Sequence, residues 1–195
     1  MHITQQYYQN KPSLFLMNTE QQEYISLISR STHDDILIKK TGWEAINFQE
    51  HAHEKFQIIY TLFGTLHVET GGVNYFVPEK HIAWIPEKAS HKLSSNSRQV
   101  SLIIFYINLN ITPDDGKNRF SIYSTNGIIA ENLKFIASKG KVITRGKQTD
   151  LYNFALSFFN LFPKMTLGAD FLLKTLVIPN DSRLHPILNY ITEHI

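Results

Sequence analysis

The sequence contains no cysteine among its 195 residues, which excludes a disulfide framework and a thiolate metal site. Its 19 basic and 17 acidic residues leave a net charge of only +2, so there is no general attraction to nucleic acid or anionic membranes. No apolar run approaches the roughly 20 residues that a membrane helix needs. The N-terminal MHITQQYYQNKPS lacks the basic-then-apolar order of a signal peptide. We therefore expect a cytoplasmic protein.

The first half of the chain is rich in short strand-forming runs. With 43% hydrophobic residues the chain can bury a sizeable core, and its length suits one domain or one domain with a small appendage. The pair Gly71-Gly72 between two alternating runs predicts a hairpin. Many short antiparallel strands at this spacing predict a sandwich or a barrel. The predicted strands are 23–30, 35–40, 44–48, 56–63, 65–70, 73–77, 81–85 and 100–109.

From about residue 127 the hydrophobic period changes to that of a helix. Apolar residues recur at helical spacing in 128–139, and 151–162 has a wide apolar face that Pro163 is expected to close. This face has more aromatic surface than one contact with a barrel requires. It therefore predicts either packing on the barrel or a dimer interface, formed by Leu151, Phe154, Phe158 and Phe162.

The final segment reads as a linker followed by the start of another helix. Residues 169–177 are expected to be helical and to end before Pro179. Pro186 then fits the first turn of a last helix. Because the apolar stripe of that helix is still running at the last residue, we expect the natural protein to continue. The stripe consists of Leu184, Ile187, Leu188, Ile191 and Ile195.

Histidine and glutamine form the most informative pattern of the chain. His51, His53 and Gln57 share strand parity, and His91 follows in a later strand region. Neutral imidazole binds Zn²⁺ and Ni²⁺ readily, whereas a glutamine oxygen is a weaker, uncharged ligand. The pattern predicts a metal site or a polar pocket for an organic ligand. The neighbouring Glu50 and Glu54 point away on strand parity, so no catalytic residue is assigned.

Two motifs carry a resemblance to a known family. The spacing His51-x-His53-x3-Gln57-x6-Gly64 resembles the first motif of the cupins, in which glutamate normally stands at the Gln57 position. The stretch VPEKHIAWIPEKASH at 77–91 resembles the second motif, with His91 as the fourth potential ligand. Within this second motif the sequence departs from the family twice, since Lys88 replaces a glycine and the later asparagine falls one residue late, at Asn96.

The combination is similar to the cupin sensor domain of AraC-type transcription regulators. In that group glutamine at position 57 and a Trp84-Ile85-Pro86 run are usual. The tail DSRLHPILNYITEHI also resembles the start of the first helix in the AraC-type DNA-binding domain. The resemblance implies a mostly β chain with C-terminal helices. Its parts are a cupin (double-stranded β-helix, or jelly-roll) barrel at 1–115, a helical dimerisation or packing segment at 125–178, and a linker with the first helix of a truncated DNA-binding domain at 179–195.

The resemblance further implies a non-enzymatic sensor. It would bind a small-molecule effector in the barrel, with or without a divalent metal such as Zn²⁺ or Ni²⁺, form a homodimer and reach promoter DNA through the missing C-terminal domain. A metal-dependent cupin enzyme, such as a dioxygenase or isomerase, and a simple sugar-binding module are the alternatives. For Tyr60 and Trp84 the alternative to a pocket role is core packing. The residues expected to line the pocket are His51, His53, Gln57, His91, Tyr60 and Trp84, the first four being the metal candidates.

Overall fold

The computed structural model of the chain describes residues 19–109, 118–167, 177–178, 182–184, 186–187 and 190. The strands form a mostly antiparallel, nearly closed barrel, and the helices are mainly C-terminal. None of the helices in these ranges is long and apolar enough to cross a membrane. The helices are α1 (Thr19–Arg30), α2 (Gly127–Ser138) and α3 (Thr149–Leu167). The strands are β1 (Asp35–Lys40), β2 (Glu44–His51), β3 (Phe56–Phe63), β4 (Leu66–Thr70), β5 (Val73–Val77), β6 (His81–Ile85), β7 (His91–Ile107), β8 (Ser121–Ser124), β9 (Val142–Thr144) and β10 (Val177–Ile178).

The long strand β7 organises the barrel. It pairs with β2 and β4 through its first half and with β1 and β3 through its second half. The main path of hydrogen-bonded neighbours runs β10-β5-β4-β7-β3-β6-β8, with β1 and β2 attached to β7 and β9 attached to β1. This arrangement confirms the predicted cupin-type barrel.

Strand alternation divides the apolar side chains between two cores. One set, which includes Ile59, Leu66 and Ile104, fills the barrel interior together with Ile28 of α1. The other set, which includes Ile58 and Phe105, lies on the outer face of the sheet beneath α2 and α3. The C-terminal helices therefore cover the outside of the barrel, and α1 contributes to its inside.

Several predicted elements are confirmed. The Gly71-Gly72 hairpin joins β4 to β5, with Thr70 opposite Val73 and positive φ at both glycines, as a type I′ turn requires. Helix α2 begins after Asn126, whose side chain accepts the backbone N–H of Ile129 and caps the helix. The sequence prediction missed the first half of β7 and the short strands β8 and β9.

Residues 23–30, predicted as a strand, are the body of α1, so that prediction is wrong. The β-branched and aromatic residues of the segment favour a strand locally. Within 21–30, where burial is described, the buried positions of the helix are Gln21 and Ile28, seven residues or two helical turns apart. Docking of this face on the barrel overrides the local preference.

The expectation that Pro163 closes its helix is also wrong, because α3 continues to Leu167 with Pro163 inside it. A proline lacks only its own N–H and removes a single helical hydrogen bond. The preceding Phe159 and Phe162 are fully buried, and Phe162 stacks on Trp84 with 6.0 Å between ring centroids. This packing holds the last turns of α3 against the barrel.

Most of the predictions for the end of the chain lie outside the described residues. Of the stretch 169–177, only Val177 is described, and it belongs to strand β10 rather than to a helix. Leu188, Ile191 and Ile195 of the apolar stripe are also outside the described residues. Leu184 ends a short 3₁₀ turn, and Ile187 is exposed. The predicted domain boundaries stay predictions.

Candidate functional site

Three histidines converge at one end of the barrel. His51 is the last residue of β2 and His91 the first of β7, and the two are directly opposed in the antiparallel pairing. His53 reaches the same point from the loop before β3, not from the strand itself. The ring centroids lie 4.3 Å apart for His51 and His91, 5.2 Å for His53 and His91, and 5.9 Å for His51 and His53. The sequence prediction that these side chains belong together therefore agrees with their positions.

Hydrogen bonds to the backbone orient all three rings in the same way. Nδ1 lies 2.7 Å from the Gln49 carbonyl oxygen in His51, 2.7 Å from that of Lys55 in His53, and 2.8 Å from that of Ala89 in His91. A carbonyl can only accept, so each Nδ1 donates its hydrogen and each Nε2 keeps a lone pair. A backbone carbonyl that holds one ring nitrogen while the other is left to bind is typical of metal-binding histidines.

The cluster contains an unsatisfied polar atom. Nε2 of His91 is buried and has no hydrogen-bond partner. One nitrogen from each of His51, His53 and His91 can be chosen so that all lie within 4.8 Å of one another. Because a buried lone pair without a partner is costly, the cluster fits a divalent cation or a donor group of a bound molecule.

Gln57 on β3 completes the group. Its Oε1 lies 3.2 Å from Nε2 of His53, and its Nε2 donates to the hydroxyl of Tyr106 at 3.1 Å. In this orientation two acceptors, Oε1 of Gln57 and Nε2 of His53, face each other. A cation between them removes the conflict, and so does the opposite orientation of the amide.

Burial keeps the three imidazoles neutral. The pKa of His51 is lowered to about 4, mainly by loss of hydration on burial and to a smaller extent by the nearby His53. Burial is also the main cause that lowers the pKa of His53. The pKa of His91 is well below its ordinary value because of burial and then because of the other two histidines. Neutral imidazole is the form that binds a metal ion, so near pH 7 the cluster is ready for one.

A cavity of about 590 Å³ borders the cluster at His53. One wall is the C-terminal half of α1 and the other is the loop before β3. Lys55 of that loop is almost fully buried, and its ammonium donates to the carbonyls of Thr32 at 2.8 Å and Asp35 at 2.9 Å. The cavity lining combines apolar and polar groups: Ile25, Ile28, Ser29, Ser31, His33, Ala52, His53, Glu54, Lys55, Glu87, Asn108 and Leu109.

Tyr60 and Trp84 do not lie in this group. Both are buried on the outer face of the sheet, in the core that α2 and α3 cover. Trp84 contacts Phe56 and Phe162 there. Their positions match the core-packing alternative that the sequence left open.

Lys88 stands where the second cupin motif has a glycine. Its φ of +62° lies in the left-handed region, where glycine is the usual residue. Its backbone N–H donates to the carbonyl of His53 at 2.8 Å, which ties the loop after β6 to the histidine loop. Lys88 therefore adopts a backbone conformation that glycine favours, although it carries a side chain.

The predicted interface residues of α3 fall on different faces. Phe158 and Phe162 are buried against the barrel, and Leu151 is half-buried. Phe154 is 41% exposed and contacts Phe135 of α2 edge to face. Two apolar side chains that the sequence prediction did not single out, Leu161 and Met165, are exposed on the same helix.

The sequence prediction also missed two polar partners of the cluster, Tyr106 and Gln21. Tyr106 lies on β7 with its ring 5.2 Å from that of His53. Gln21 is a buried residue of α1 whose Nε2 lies 3.3 Å from Nδ1 of His51. Gln21 reaches Gln49 and His51 from 28 and 30 residues away along the chain, so no local signal would have revealed its role.

Comparison with known protein families finds a match over part of the chain. Residues 41–123 match the family model described as AraC-like ligand binding domain. No protein with a curated description matches the chain. The family resemblance read from the two histidine motifs is thereby confirmed for these residues.

The chain is also similar to several solved structures. ToxT from Vibrio cholerae strain SCE256, solved with a bound unsaturated fatty acid, is 13% identical with a TM-score of 0.48 over 74% of this chain, which spans 60% of ToxT. The EutQ protein of Clostridium difficile is 15% identical with a TM-score of 0.34, and the match covers 38% of this chain and 57% of the EutQ chain. A cupin superfamily protein from Desulfitobacterium hafniense is 14% identical with a TM-score of 0.34, and the match covers 40% of this chain and 72% of that protein's chain.

Proposed function

With the AraC-like ligand binding domain at residues 41–123 as the premise, we propose that the chain is the effector-sensing and dimerisation part of an AraC-family transcription regulator. The effector is a small molecule that binds at the end of the barrel where the histidines converge. Its binding state passes to a C-terminal domain that contacts promoter DNA in the cytoplasm. The sensor itself is not an enzyme.

The observation that carries this proposal is the buried histidine cluster beside an open cavity. The partnerless Nε2 of His91 needs a donor or a cation. His53 belongs both to the cluster and to the wall of the 590 Å³ cavity, so a molecule in the cavity can reach the cluster. A cavity of this size, with mixed lining and a few convergent polar groups, is typical of small-molecule sites.

We further propose that the cluster holds a divalent cation, Zn²⁺ or Ni²⁺. The residues that would hold it are His51, His53 and His91 through Nε2, with Gln57 through Oε1. Such an ion supplies a fixed positive charge to which an oxygen donor of the effector binds. The protein's own part is to keep the three rings neutral and oriented through the backbone carbonyls of Gln49, Lys55 and Ala89.

The partners of the two carboxylates that neighbour the histidines in sequence favour a sensor over a cupin enzyme. Enzymes of this kind usually need an acid or base beside the metal. Glu50 accepts a hydrogen bond from Ser90 at 2.7 Å, and the exposed Glu54 lies 3.3 Å from Lys88 in an ion pair. Glu54 and Glu87 line the cavity beside His53, but among the described residues no carboxylate joins His51, His53 and His91 in the group that could hold a metal ion.

Dimerisation is proposed through the outer face of the C-terminal helices. Phe154, Leu161 and Met165 of α3 are exposed, and Phe135 of α2 lies beside Phe154. Exposed apolar side chains grouped on neighbouring helices are typical of an interface. Phe158 and Phe162 lie on the buried face of α3 and pack this helix on the barrel.

Two measurements test the proposal. Titration of untagged protein with Zn²⁺ and Ni²⁺, followed by a thermal-shift screen of small organic acids and sugars, should show stabilisation of the wild type and none of the His53→Ala/His91→Ala double variant. His81→Ala is the matched control, because this histidine lies within the second motif but outside the cluster. Equal responses of the wild type and the double variant would rule the cluster out as the binding site. The regulator itself requires a coding sequence that continues past Ile195 by about 100 residues, the size of a small domain.

A further inference from the structure

Gln21 connects the N-terminal helix to the histidine cluster. It lies in α1, outside the residues that match the family model, and only 1% of it is exposed. Its side-chain amide forms two hydrogen bonds with one residue of β2, since Nε2 donates to the Gln49 carbonyl at 2.8 Å and Oε1 accepts the Gln49 N–H at 3.0 Å. The glutamine amide thus pairs with the backbone of β2 in the way that a neighbouring strand would.

The same Gln49 carbonyl orients His51. Nδ1 of His51 donates to it at 2.7 Å, so this oxygen accepts from both the imidazole and the Gln21 amide. A carbonyl oxygen has two lone pairs, and these two donors occupy both. Nε2 of Gln21 lies 3.3 Å from Nδ1 of His51, so the helix, the strand end and the ring meet at one point.

From this geometry we propose that Gln21 is a positioning residue for His51 and that it couples the docking of α1 to occupation of the histidine cluster. Gln21 holds the Gln49 peptide group, the peptide group fixes the tautomer and direction of the His51 ring, and the ring presents its Nε2 to the bound ion or effector. The inference rests on the proposed role of the cluster as a binding site.

The coupling works in both directions. If α1 must be docked for His51 to be oriented, a ligand that binds His51 favours the docked helix by the same free energy. A second contact links α1 to the site. The ring of Tyr24 lies 6.2 Å from the ring of Tyr106, whose hydroxyl accepts a hydrogen bond from Gln57. Loss of the Gln21 bonds should therefore weaken both binding at the cluster and attachment of the helix.

The first test needs no ligand. Gln21→Met keeps the volume of the side chain but removes both hydrogen bonds to Gln49. In ¹⁵N NMR of the imidazoles, the wild type should show His51 protonated at Nδ1, and the variant should show a mixture of the two tautomers. Hydrogen exchange of the Gln49 amide should speed up by at least tenfold in the variant. The exposed Glu23→Ala on the same helix is the control and should change neither signal.

The second test uses Zn²⁺ as the probe. Loss of a group that orients a metal ligand typically lowers metal affinity by about 10- to 100-fold, and we expect a decrease in this range for Gln21→Met, which releases the Gln49 carbonyl that orients His51. Saturating Zn²⁺ should slow amide exchange throughout α1 in the wild type and in Glu23→Ala, but not in Gln21→Met. Gln21→Glu, which keeps only the acceptor for the Gln49 N–H, should fall between the wild type and Gln21→Met, and it replaces Gln21→Met if that variant does not fold.

The outcomes separate this inference from the proposed function. If Zn²⁺ binds the wild type and Gln21→Met equally and the His51 tautomer is unchanged, Gln21 is not a positioning residue although the binding site stands. If affinity falls but Zn²⁺ leaves α1 exchange unchanged in the wild type, the coupling is overturned. If the wild type binds no Zn²⁺, the proposed metal is wrong, and the ¹⁵N and Gln49 exchange measurements still decide the role of Gln21.

Discussion

Nε2 of His53 lies 3.2 Å from Oε1 of Gln57, and the bond from His53 to the Lys55 carbonyl leaves both atoms as acceptors. Two buried lone pairs at this distance repel each other unless a positive charge or a hydrogen lies between them. A divalent ion would use both atoms as ligands. Without an ion, the amide can reverse so that its NH₂ faces His53 and its oxygen accepts from the hydroxyl of Tyr106. The residue at position 57 therefore decides how strongly the cluster attracts a cation.

We predict that Gln57→Glu raises the affinity for Zn²⁺ by tenfold or more. A carboxylate adds a negative charge to a site whose other ligands are neutral imidazoles, and oxygen ligands with charge bind divalent metals more strongly than amides. Isothermal titration calorimetry of the metal-free protein measures the change. Gln57→Leu is the matched variant and should bind more weakly than the wild type. If all three proteins have the same affinity, position 57 does not contact the ion.

Gly64 at the end of β3 is predicted to be intolerant of any side chain. Its φ is +81°, and a Cβ there would lie 2.9 Å from the backbone carbonyl oxygen of Gln99. Gly64→Ala should therefore lower the free energy of unfolding by about 2–3 kcal/mol, from strain and from the steric clash. At Gly71, also with positive φ but with open space around it, alanine should cost only about 1 kcal/mol. Urea denaturation of the two variants measures the difference, and equal midpoints would contradict it.

The barrel and the histidine cluster could be predicted because their signals are local. The spacing from His51 to Gln57 and the run before His91 each lie within a few residues. The antiparallel barrel then brings His51 opposite His91. Strand parity alone also predicts that Tyr60 lies away from the site, since Tyr60 is three residues from Gln57 and must face the other side of β3.

The role of α1 could not be predicted from the same kind of signal. Its residues 23–30 have the β-branched and aromatic content of a strand, and only contact with the barrel selects the helix. The contacts of Gln21 with Gln49 and His51 span 28 and 30 residues along the chain. Pairings over such separations leave no local pattern. The same holds for the contact of the half-buried Tyr24 with the buried Lys39, whose ammonium lies 4.1 Å from the Tyr24 ring.

His67 is predicted to make stability depend on pH without any part in binding. It packs on the ring of Phe76, and burial lowers its pKa from 6.5 to about 4, with the charge of Arg98 as a smaller cause. The unfolded chain then binds a proton between these two values while the folded chain does not. Stability from this group is complete above about pH 6.5 and falls as the pH decreases toward 4.

The expected size of the effect follows from the same two pKa values. Between pH 7 and pH 5 this single histidine should cost the wild type about 2 kcal/mol of unfolding free energy. His67→Gln cannot titrate, so its unfolding free energy should fall less over this interval by about that amount. Urea titrations of both proteins at the two pH values measure the difference. Parallel loss in both proteins would show that His67 does not titrate in the folded state in the way that its burial implies.

The two faces of helix α3 are predicted to have different roles. The buried face stabilises the fold, and the exposed face forms the dimer interface. Phe158 is 6% exposed and contacts the rings of Phe159 and Phe162, whereas Leu161 is 53% exposed. Phe158→Asp removes a buried ring and introduces a charge, so it should lower the unfolding free energy by about 4 kcal/mol or more. Leu161→Asp should change the stability of the monomer by no more than about 0.5 kcal/mol.

The dimer should respond in the opposite order. A charge at Leu161 lies in the proposed interface, so sedimentation velocity should show this variant as a monomer at concentrations at which the wild type is a dimer. Its circular dichroism spectrum and its Zn²⁺ affinity should remain those of the wild type, because the site lies at the barrel end and not on α3. If Leu161→Asp sediments like the wild type, the exposed face of α3 is not the interface. If the wild type is itself monomeric, the proposed dimer is wrong.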